Sequence, residues 1–147
     1  RCLVNIELKS SVADTTNIDV IVLALIKLLN KYTQNHKFSY SQFIISAFNH
    51  HLLLAVKDLI PEVETAALIA HYPLSIDEYK IKLQVQSINP SIECLNQKLV
   101  NDIHQLGLSV WVYTVDREQD ILRCKQLGVD AIFTNYPART KLIVEEN

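Results

Sequence analysis

Six short and largely apolar segments alternate with segments of helical spacing along the 147-residue chain. The predicted strands are Leu3–Lys9, Phe43–Phe48, Ala66–Ala70, Gln84–Ile88, Ser109–Val115 and Val129–Thr134. A run as apolar as Phe43–Phe48 is typical of a strand that is buried on both faces, as in a parallel sheet. We assign Asn89 and Pro90, after the fourth strand, to a loop. The alternation therefore predicts an α/β fold with a parallel sheet, which is either doubly wound or closed as a barrel.

The helical segments carry recognisable end signals. They are Thr15–Tyr32, His50–Leu59, Leu95–Leu106 and Asp116–Leu127, with Tyr79–Leu83 as a short helix or the edge of a strand. Asn49 stands where it can cap the second helix. Asp116 followed by Gln119 three residues later matches a capping box. Gly107 and Gly128 fall at helix ends, where a positive φ favours glycine.

Composition excludes several classes of protein. The net charge of −2 and the absence of a basic stripe argue against nucleic acid as a partner. Three scattered cysteines without CxxC spacing favour free thiols in a reducing compartment, so we expect a cytoplasmic protein. The apolar run Ile18–Leu29 is interrupted by Asp19 and Lys27 and is too short to span a bilayer. We recognise neither a transmembrane segment nor a signal peptide.

The first strand carries the most informative polar residues. Asn5, Glu7 and Lys9 alternate with apolar residues, so their side chains share one face of the strand. A carboxylate such as Glu7 can bind a hard cation, Mg²⁺ or Ca²⁺, through oxygen. The ammonium group of Lys9 can hold a phosphate as a point charge. The alternative interpretation is a solvated Glu–Lys pair at the end of an ordinary strand.

Two histidines are candidates for proton transfer. His51 opens the helix that follows the second strand, and His71 follows the third strand directly. Both positions are expected near the carboxyl end of a parallel sheet, where active sites of barrels lie. A histidine transfers protons near neutral pH only where its geometry is suitable. The alternative for each is a packed or solvated histidine.

Four segments resemble motifs of the glycerophosphodiester phosphodiesterase family. NIELK is similar to the family's IEIK strand, IISAFN to its ISSF strand, VWVYTVD to its VWTVN strand, and LGVDAIFTNYP to its closing GVDGIITDYP segment. They occur in the family's order and extend over nearly the whole chain. The resemblance implies a (β/α)8 barrel of the TIM type, with this chain covering about strands 3 to 8. It also implies that residues 1–147 form one domain, a partial barrel that lacks the first two βα units.

The resemblance assigns roles to particular residues. It implies that Glu7 is a metal ligand and that Lys9 lies at the phosphate site. Substrate-binding positions are implied for Ser46, Phe48 and Tyr113. We add Trp111, which lies two residues before Tyr113 and shares its face of the strand. This chain departs from the family pattern at Ala47, and it has Asp116 and Asn135 where the family has Asn and Asp.

The activity implied by the resemblance is metal-dependent hydrolysis of a glycerophosphodiester to glycerol 3-phosphate and an alcohol. The family's catalytic histidines lie on a segment before the IEIK strand, and nothing before Glu7 supplies them. Because the chain starts at Arg1 and contains no methionine, we expect it to be an incomplete portion of the enzyme. One alternative is a non-catalytic barrel fragment or pseudo-enzyme with a binding or assembly role. A weaker one is a barrel phospholipase D of the spider-toxin type. Because open sheet edges are hazardous in water, we expect either that a first part of the protein is missing or cleaved off, or that a partner chain or a second copy covers the edges.

Overall fold

Each strand joins the sheet beside the strand that precedes it in the chain. In the computed structural model, which describes residues 2–10, 17–34 and 38–146, six parallel strands stand in sequential order. They are β1 (Val4–Glu7), β2 (Phe43–Ala47), β3 (Glu64–Ile69), β4 (Ser87–Pro90), β5 (Ser109–Val112) and β6 (Ala131–Ile132). Doubly wound sheets reverse their strand order at a switch point, whereas barrels do not. The order therefore favours the barrel type of the two predicted architectures, and the structure is an α/β half-barrel.

Helices connect all of the successive strands. They are α1 (Ile18–Thr33), α2 (His50–Leu59), α3 (Asp77–Ile81), α4 (Gln97–Gln105), α5 (Glu118–Leu127) and α6 (Pro137–Glu146), with short 3₁₀ segments at Tyr40–Gln42 and Ile92–Cys94. Tyr79–Leu83, left open between helix and strand edge, corresponds to α3. The first two residues of the predicted helix Thr15–Tyr32 lie outside the described residues.

The sheet has two chemically different faces. One contributes to the main hydrophobic core, with the buried side chains of Ile45, Ala67, Ile88 and Val110. On the opposite face Glu7 pairs in register with Ser46, Ser46 with Ala66, and Ala66 with Ser87, and these residues are all polar or small. Since residues in register on parallel strands face the same way, these four form one row. Packing against the helices therefore fixes which side chains point into the concave interior.

Three predicted end signals are confirmed and one is wrong. The side chain of Asn49 accepts a hydrogen bond from the backbone N–H of His51 at 3.1 Å and caps α2. Both glycines have positive φ, 69° at Gly107 and 76° at Gly128. The capping box at Asp116 does not form, because Arg117 is the N-cap residue of α5 and makes no side-chain cap. The carboxylate of Asp116 is bound elsewhere, as described below.

The loop predicted at residues 89–90 is also wrong. Asn89 and Pro90 belong to β4 and pair in register with Leu68 and Ile69. The carbonyl of Pro90 accepts a hydrogen bond at 3.1 Å from the N–H of Tyr113, the residue directly after β5. A proline at the last residue of a strand can still accept a hydrogen bond, so it does not interrupt the sheet here.

Other structural features concern the surface and the sheet edges. No helix within the described residues is long and apolar enough to cross a membrane. Cys2, Cys94 and Cys124 are free thiols.

Among the described residues, β1 and β6 each pair with a neighbouring strand on one side alone. Unpaired strand edges expose backbone donors and acceptors, so they are sites where further chain can add.

Replacing Gly128 with alanine tests the helix ending. A Cβ at this position would meet nothing within 4 Å, so the cost arises from the backbone alone. We expect Gly128→Ala to lower the free energy of unfolding by about 1 kcal/mol, since a left-handed conformation is unfavourable for residues with a Cβ. Gly128→Asn is the matched control and should cost less, because Asn tolerates this conformation. Equal losses in urea unfolding would contradict this explanation.

Candidate active site

The carboxyl ends of the strands enclose a small cavity. Its volume is about 150 Å³, and it is lined by Asn5, Glu7, Ser46, Phe48, Leu68, Tyr113, Thr114 and Phe133. Four of the predicted site residues, Glu7, Ser46, Phe48 and Tyr113, therefore lie around one space. They come together because the carboxyl ends of all parallel strands lie at the same edge of the sheet. We call this space the Glu7 cavity.

The Glu7 cavity has a charged rim. The ammonium nitrogen of Lys9 lies 3.9 Å from a carboxylate oxygen of Glu7, and the two side chains are 79% and 35% exposed. At such exposure the pair contributes little to stability, because water screens it. Lys9 is outside the residues that line the cavity, and it stands beside the one lining carboxylate. Both groups are thus accessible to a ligand that enters from solvent.

Tyr113 and Phe48 form an aromatic wall. Their rings meet edge to face with centroids 5.6 Å apart. The hydroxyl of Tyr113 donates a hydrogen bond to the carbonyl of Ile69 at 2.9 Å. Burial, with smaller contributions from Cys94 and Glu7, raises the pKa of Tyr113 to about 12. The phenol therefore keeps its proton and cannot serve as a base near neutral pH.

Trp111 lies behind the cavity wall rather than in it. Its ring is half-buried and contacts Phe133 with centroids 6.2 Å apart, while Phe133 lines the cavity. The sequence analysis did not single out Leu68, Thr114 or Phe133. Phe133 could have been found from its strand, because it alternates with Ala131, which pairs in register with Trp111.

Several buried polar atoms of the inner face have no partner. Among the described residues, Oδ1 of Asn5 and Oγ of Ser46 make no hydrogen bond, and both residues line the Glu7 cavity. On β4, Ser87 donates to Oδ1 of Asn89 at 2.9 Å, and Nδ2 of Asn89 is also unpaired. An unsatisfied buried polar group costs about 1–3 kcal/mol. Such atoms beside a cavity favour a polar ligand that would pair with them.

The predicted histidines lie around a different cavity. His50, His51 and His71 line a space of about 670 Å³ between α2, the loop after β3 and α3. His50 Nε2 lies 3.0 Å from the carbonyl oxygen of Leu68, so this nitrogen donates and carries the proton. Burial lowers the pKa of His50, and the hydrogen bond to Leu68 opposes that shift in part. The proton-transfer roles of His51 and His71 stay predictions, and neither residue lines the Glu7 cavity.

Two of the departures from the family pattern, Asp116 and Asn135, contact each other. The carboxylate of Asp116 accepts hydrogen bonds from the backbone N–H of Asn135 at 2.8 Å and from its side-chain amide at 2.7 Å. The hydroxyl of Thr134 also donates to this carboxylate, at 3.0 Å. These bonds, from Asn135 foremost, hold the pKa of Asp116 below its usual value. These hydrogen bonds therefore link the loops after β5 and β6.

Two oxygen donors near Glu7 could contribute to a divalent metal site. Glu7 supplies a carboxylate, and Asn5 adds a buried carbonyl oxygen that has no partner in the described part of the chain. Within those residues, no group of three acidic, histidine or cysteine side chains could hold a metal ion. Glu7 thus suits the role of one ligand, but the described residues do not form a complete site.

The family comparison agrees with this architecture. The model of the Glycerophosphoryl diester phosphodiesterase family matches residues 1–139. The chain belongs to this family. A glycerophosphodiester phosphodiesterase of Caldanaerobacter subterraneus subsp. tengcongensis is 30% identical over 135 residues, which are 92% of this chain and 52% of the relative.

Solved structures give the same result. A putative glycerophosphoryl diester phosphodiesterase from Silicibacter pomeroyi is 27% identical, has a TM-score of 0.81, and is matched over 95% of this chain and 49% of its own. An Oleispira antarctica phosphodiesterase, solved in complex with the product sn-glycerol-3-phosphate, is 23% identical with a TM-score of 0.84 over 96% of this chain and 54% of its own. This chain therefore spans about half the length of these relatives.

The lowered pKa of His50 predicts a pH dependence of stability. Because the folded state disfavours protonation of His50, the unfolded chain binds more protons as the pH falls through about 6.5, the ordinary value. Stability from this group is present above that pH and is lost below it. We expect His50→Gln, which retains a donor for Leu68, to show a smaller loss between pH 7.5 and pH 5 in urea unfolding. His104→Gln is the control, and equal changes in both variants would refute the assignment.

Proposed function

We propose that the protein containing this chain hydrolyses glycerophosphodiesters to sn-glycerol 3-phosphate and an alcohol. The observation that carries this proposal is the convergence of Glu7, Asn5, Ser46 and the Phe48–Tyr113 wall on one cavity in a chain of this family. The Oleispira neighbour is described with sn-glycerol-3-phosphate, which is the product that the proposed reaction would release. In this reaction water adds to phosphorus, the P–O bond to the alcohol breaks, and the alcohol oxygen takes a proton.

The residues of the Glu7 cavity suit separate parts of such a substrate. The charge of Lys9 would attract the phosphate, and the unpaired polar atoms of Asn5 and Ser46 would hydrogen-bond to it or to glycerol hydroxyls. The rings of Phe48 and Tyr113 would pack against the glycerol carbons. Trp111 would support this wall through Phe133. These contacts would orient the diester and exclude water from its apolar side.

Glu7 is proposed to bind a divalent metal, Mg²⁺ or Ca²⁺, as one oxygen ligand of a site that other residues complete. When bound, such a cation supplies charge neutralisation at the phosphoryl oxygens. Among the described histidines, His50, His51 and His71 lie around the second cavity and His104 pairs with Asp130, so none of them lines the Glu7 cavity. We therefore assign the proton transfers to groups outside the Glu7 cavity. His51 and His71 remain the weaker candidates within this chain.

Replacing Glu7 tests the proposed activity. In a hydrolysis assay of glycerophosphocholine with added Mg²⁺ or Ca²⁺, we expect Glu7→Gln to lower kcat/KM on the order of 100-fold or more, because an isosteric amide cannot replace the carboxylate charge. Glu62→Gln, at an exposed loop position, is the matched control and should retain activity. The assay is made on this chain and on the longest natural chain that contains it.

Two outcomes would contradict the proposal. Equal activity of the Glu7→Gln and Glu62→Gln variants would remove Glu7 from the site. A folded longer chain without turnover at any divalent metal concentration would favour the non-catalytic binding or assembly role instead.

We also propose that another polypeptide, a second copy in the simplest case, covers an open side of the half-barrel. The exposed side chains of α1 support this, because Val20, Leu23, Leu28 and Tyr32 are large apolar groups in contact with water. They lie on the helix that follows β1, the strand at one edge of the sheet. An exposed apolar patch of this kind is typical of an interaction surface.

Sedimentation velocity tests this surface. We expect the chain to self-associate as its concentration rises, and the double variant Leu23→Ser/Leu28→Ser to shift association to at least about tenfold higher concentration. Burial of a leucine contributes about 1.5–3 kcal/mol, so loss of two is easily detected. Leu142→Ser on α6, which removes an equally exposed leucine, is the control. A wild-type chain that stays monomeric throughout would contradict a second copy as the partner.

A further inference from the structure

The larger cavity has the size and lining of a small-molecule site. Its volume of about 670 Å³ lies within the range of about 300–1,000 Å³ that is common for ligand pockets. Apolar and aromatic side chains dominate one part of it, among them Leu54, Tyr72, Leu74, Tyr79 and Leu83. Leu74 is fully exposed and Leu54 is 36% exposed, so apolar surface is presented to water along the opening. We call this cavity the His50 groove.

The carboxylate and ammonium groups that line the His50 groove are paired with each other. Lys82 and Glu78 both line it, and they form an ion pair with each other at 2.7 Å. His50 carries its proton on the nitrogen that donates to Leu68, and burial favours its neutral form. The groove therefore offers no unpaired fixed charge from these groups to a phosphate. It suits an uncharged apolar group, whose transfer from water is favourable.

The His50 groove adjoins the Glu7 cavity at the ends of two strands. Phe48 lines the Glu7 cavity, and His50, two residues later, lines the groove. Leu68 lines the Glu7 cavity, and His71, three residues later, lines the groove. At about 3.3–3.6 Å per residue, these Cα separations are at most about 7 Å and 11 Å. A ligand with its phosphate near Glu7 thus needs only a short extension to reach the groove.

The ring of Phe48, which lines the Glu7 cavity two residues before His50 in the chain, is exposed to solvent. It is 39% exposed, although its neighbours Ala47 and Asn49 are buried. The wall between the two spaces is the end of β3, where the carbonyl of Leu68 is bound by His50. An apolar chain that leaves the Glu7 cavity would therefore cross an aromatic surface rather than an array of charges.

From this arrangement we infer that the His50 groove binds the apolar part of the substrate's alcohol group, an alkyl or acyl chain. The preferred diester is accordingly an amphiphile, with a glycerophosphoryl head at Glu7 and an uncharged aliphatic tail in the groove. This inference rests on the proposed function for the position of the head group. It adds no chemical step to the hydrolysis and assigns the groove to substrate selection.

A series of glycerophosphoalkanols with ethyl, butyl, hexyl and octyl groups tests the groove. Titration calorimetry of the chain should show the dissociation constant falling about fourfold for each buried methylene, which corresponds to about 0.8 kcal/mol. The gain should stop once the tail fills the groove. Leu54→Ser and Leu74→Ser should reduce the dependence on chain length. Leu59→Ser, which removes an exposed leucine of the same helix outside the groove lining, is the matched control.

The outcomes separate this inference from the proposed function. Equal affinity for the whole series, or a chain-length dependence that Leu74→Ser and Leu54→Ser leave unchanged, overturns the groove as the tail site. Hydrolysis that depends on Glu7 would still support the function in that case. A length dependence that the groove variants abolish, without hydrolysis by the longest natural chain that contains this one, supports the groove and contradicts the function. Absence of measurable binding by every member of the series also counts against the groove.

Discussion

The burial of one apolar face of the sheet is the constraint on which the rest of the structure depends. On this face Ile45, Ala67, Ile88 and Val110 are buried in the main core. Their burial places the in-register row Glu7, Ser46, Ala66 and Ser87 on the opposite face. A slip of one residue in any strand would exchange the two faces, exposing apolar groups and burying polar ones. The burial of the apolar face therefore also determines which polar groups line the Glu7 cavity.

Most elements could be predicted from the sequence because local and tertiary preferences agree there. The apolar run that forms β2, the cap at Asn49 and the turn at Gly128 each depend on nearby residues, and each is confirmed. The errors arise where distant partners decide. The sequence predicts a helix cap at Asp116, but Asn135, in another loop, donates two hydrogen bonds to this carboxylate. The sequence predicts a loop at residues 89–90, but pairing with β3 and the hydrogen bond from Tyr113, directly after β5, keep them in the sheet.

The candidate site was predictable to the extent that alternation along a strand governs it. Glu7, Ser46, Phe48 and Tyr113 share one cavity, and the roles that the family resemblance implies for them stay predictions. The strand pattern does not predict that His51 and His71 lie around the His50 groove and not around the Glu7 cavity. Once a strand ends, side chains no longer alternate across the sheet, so two or three residues suffice to turn the chain from one cavity to the next.

The end of β3 lies between the two cavities and accepts a hydrogen bond from each side. The two donor side chains keep the same protonation state over a wide pH range. His50 donates to the carbonyl of Leu68 from the groove, and Tyr113 donates to the adjacent carbonyl of Ile69 from the Glu7 cavity. Burial acts on the two donors in the same sense, because it favours the neutral form of each: the pKa of His50 falls and that of Tyr113 rises to about 12. Between the acidic titration of His50 and the alkaline titration of Tyr113, neither donor changes charge. The wall between head group and tail can therefore keep its shape while the pH around it changes, so a change of activity with pH in this interval would have to arise from other groups.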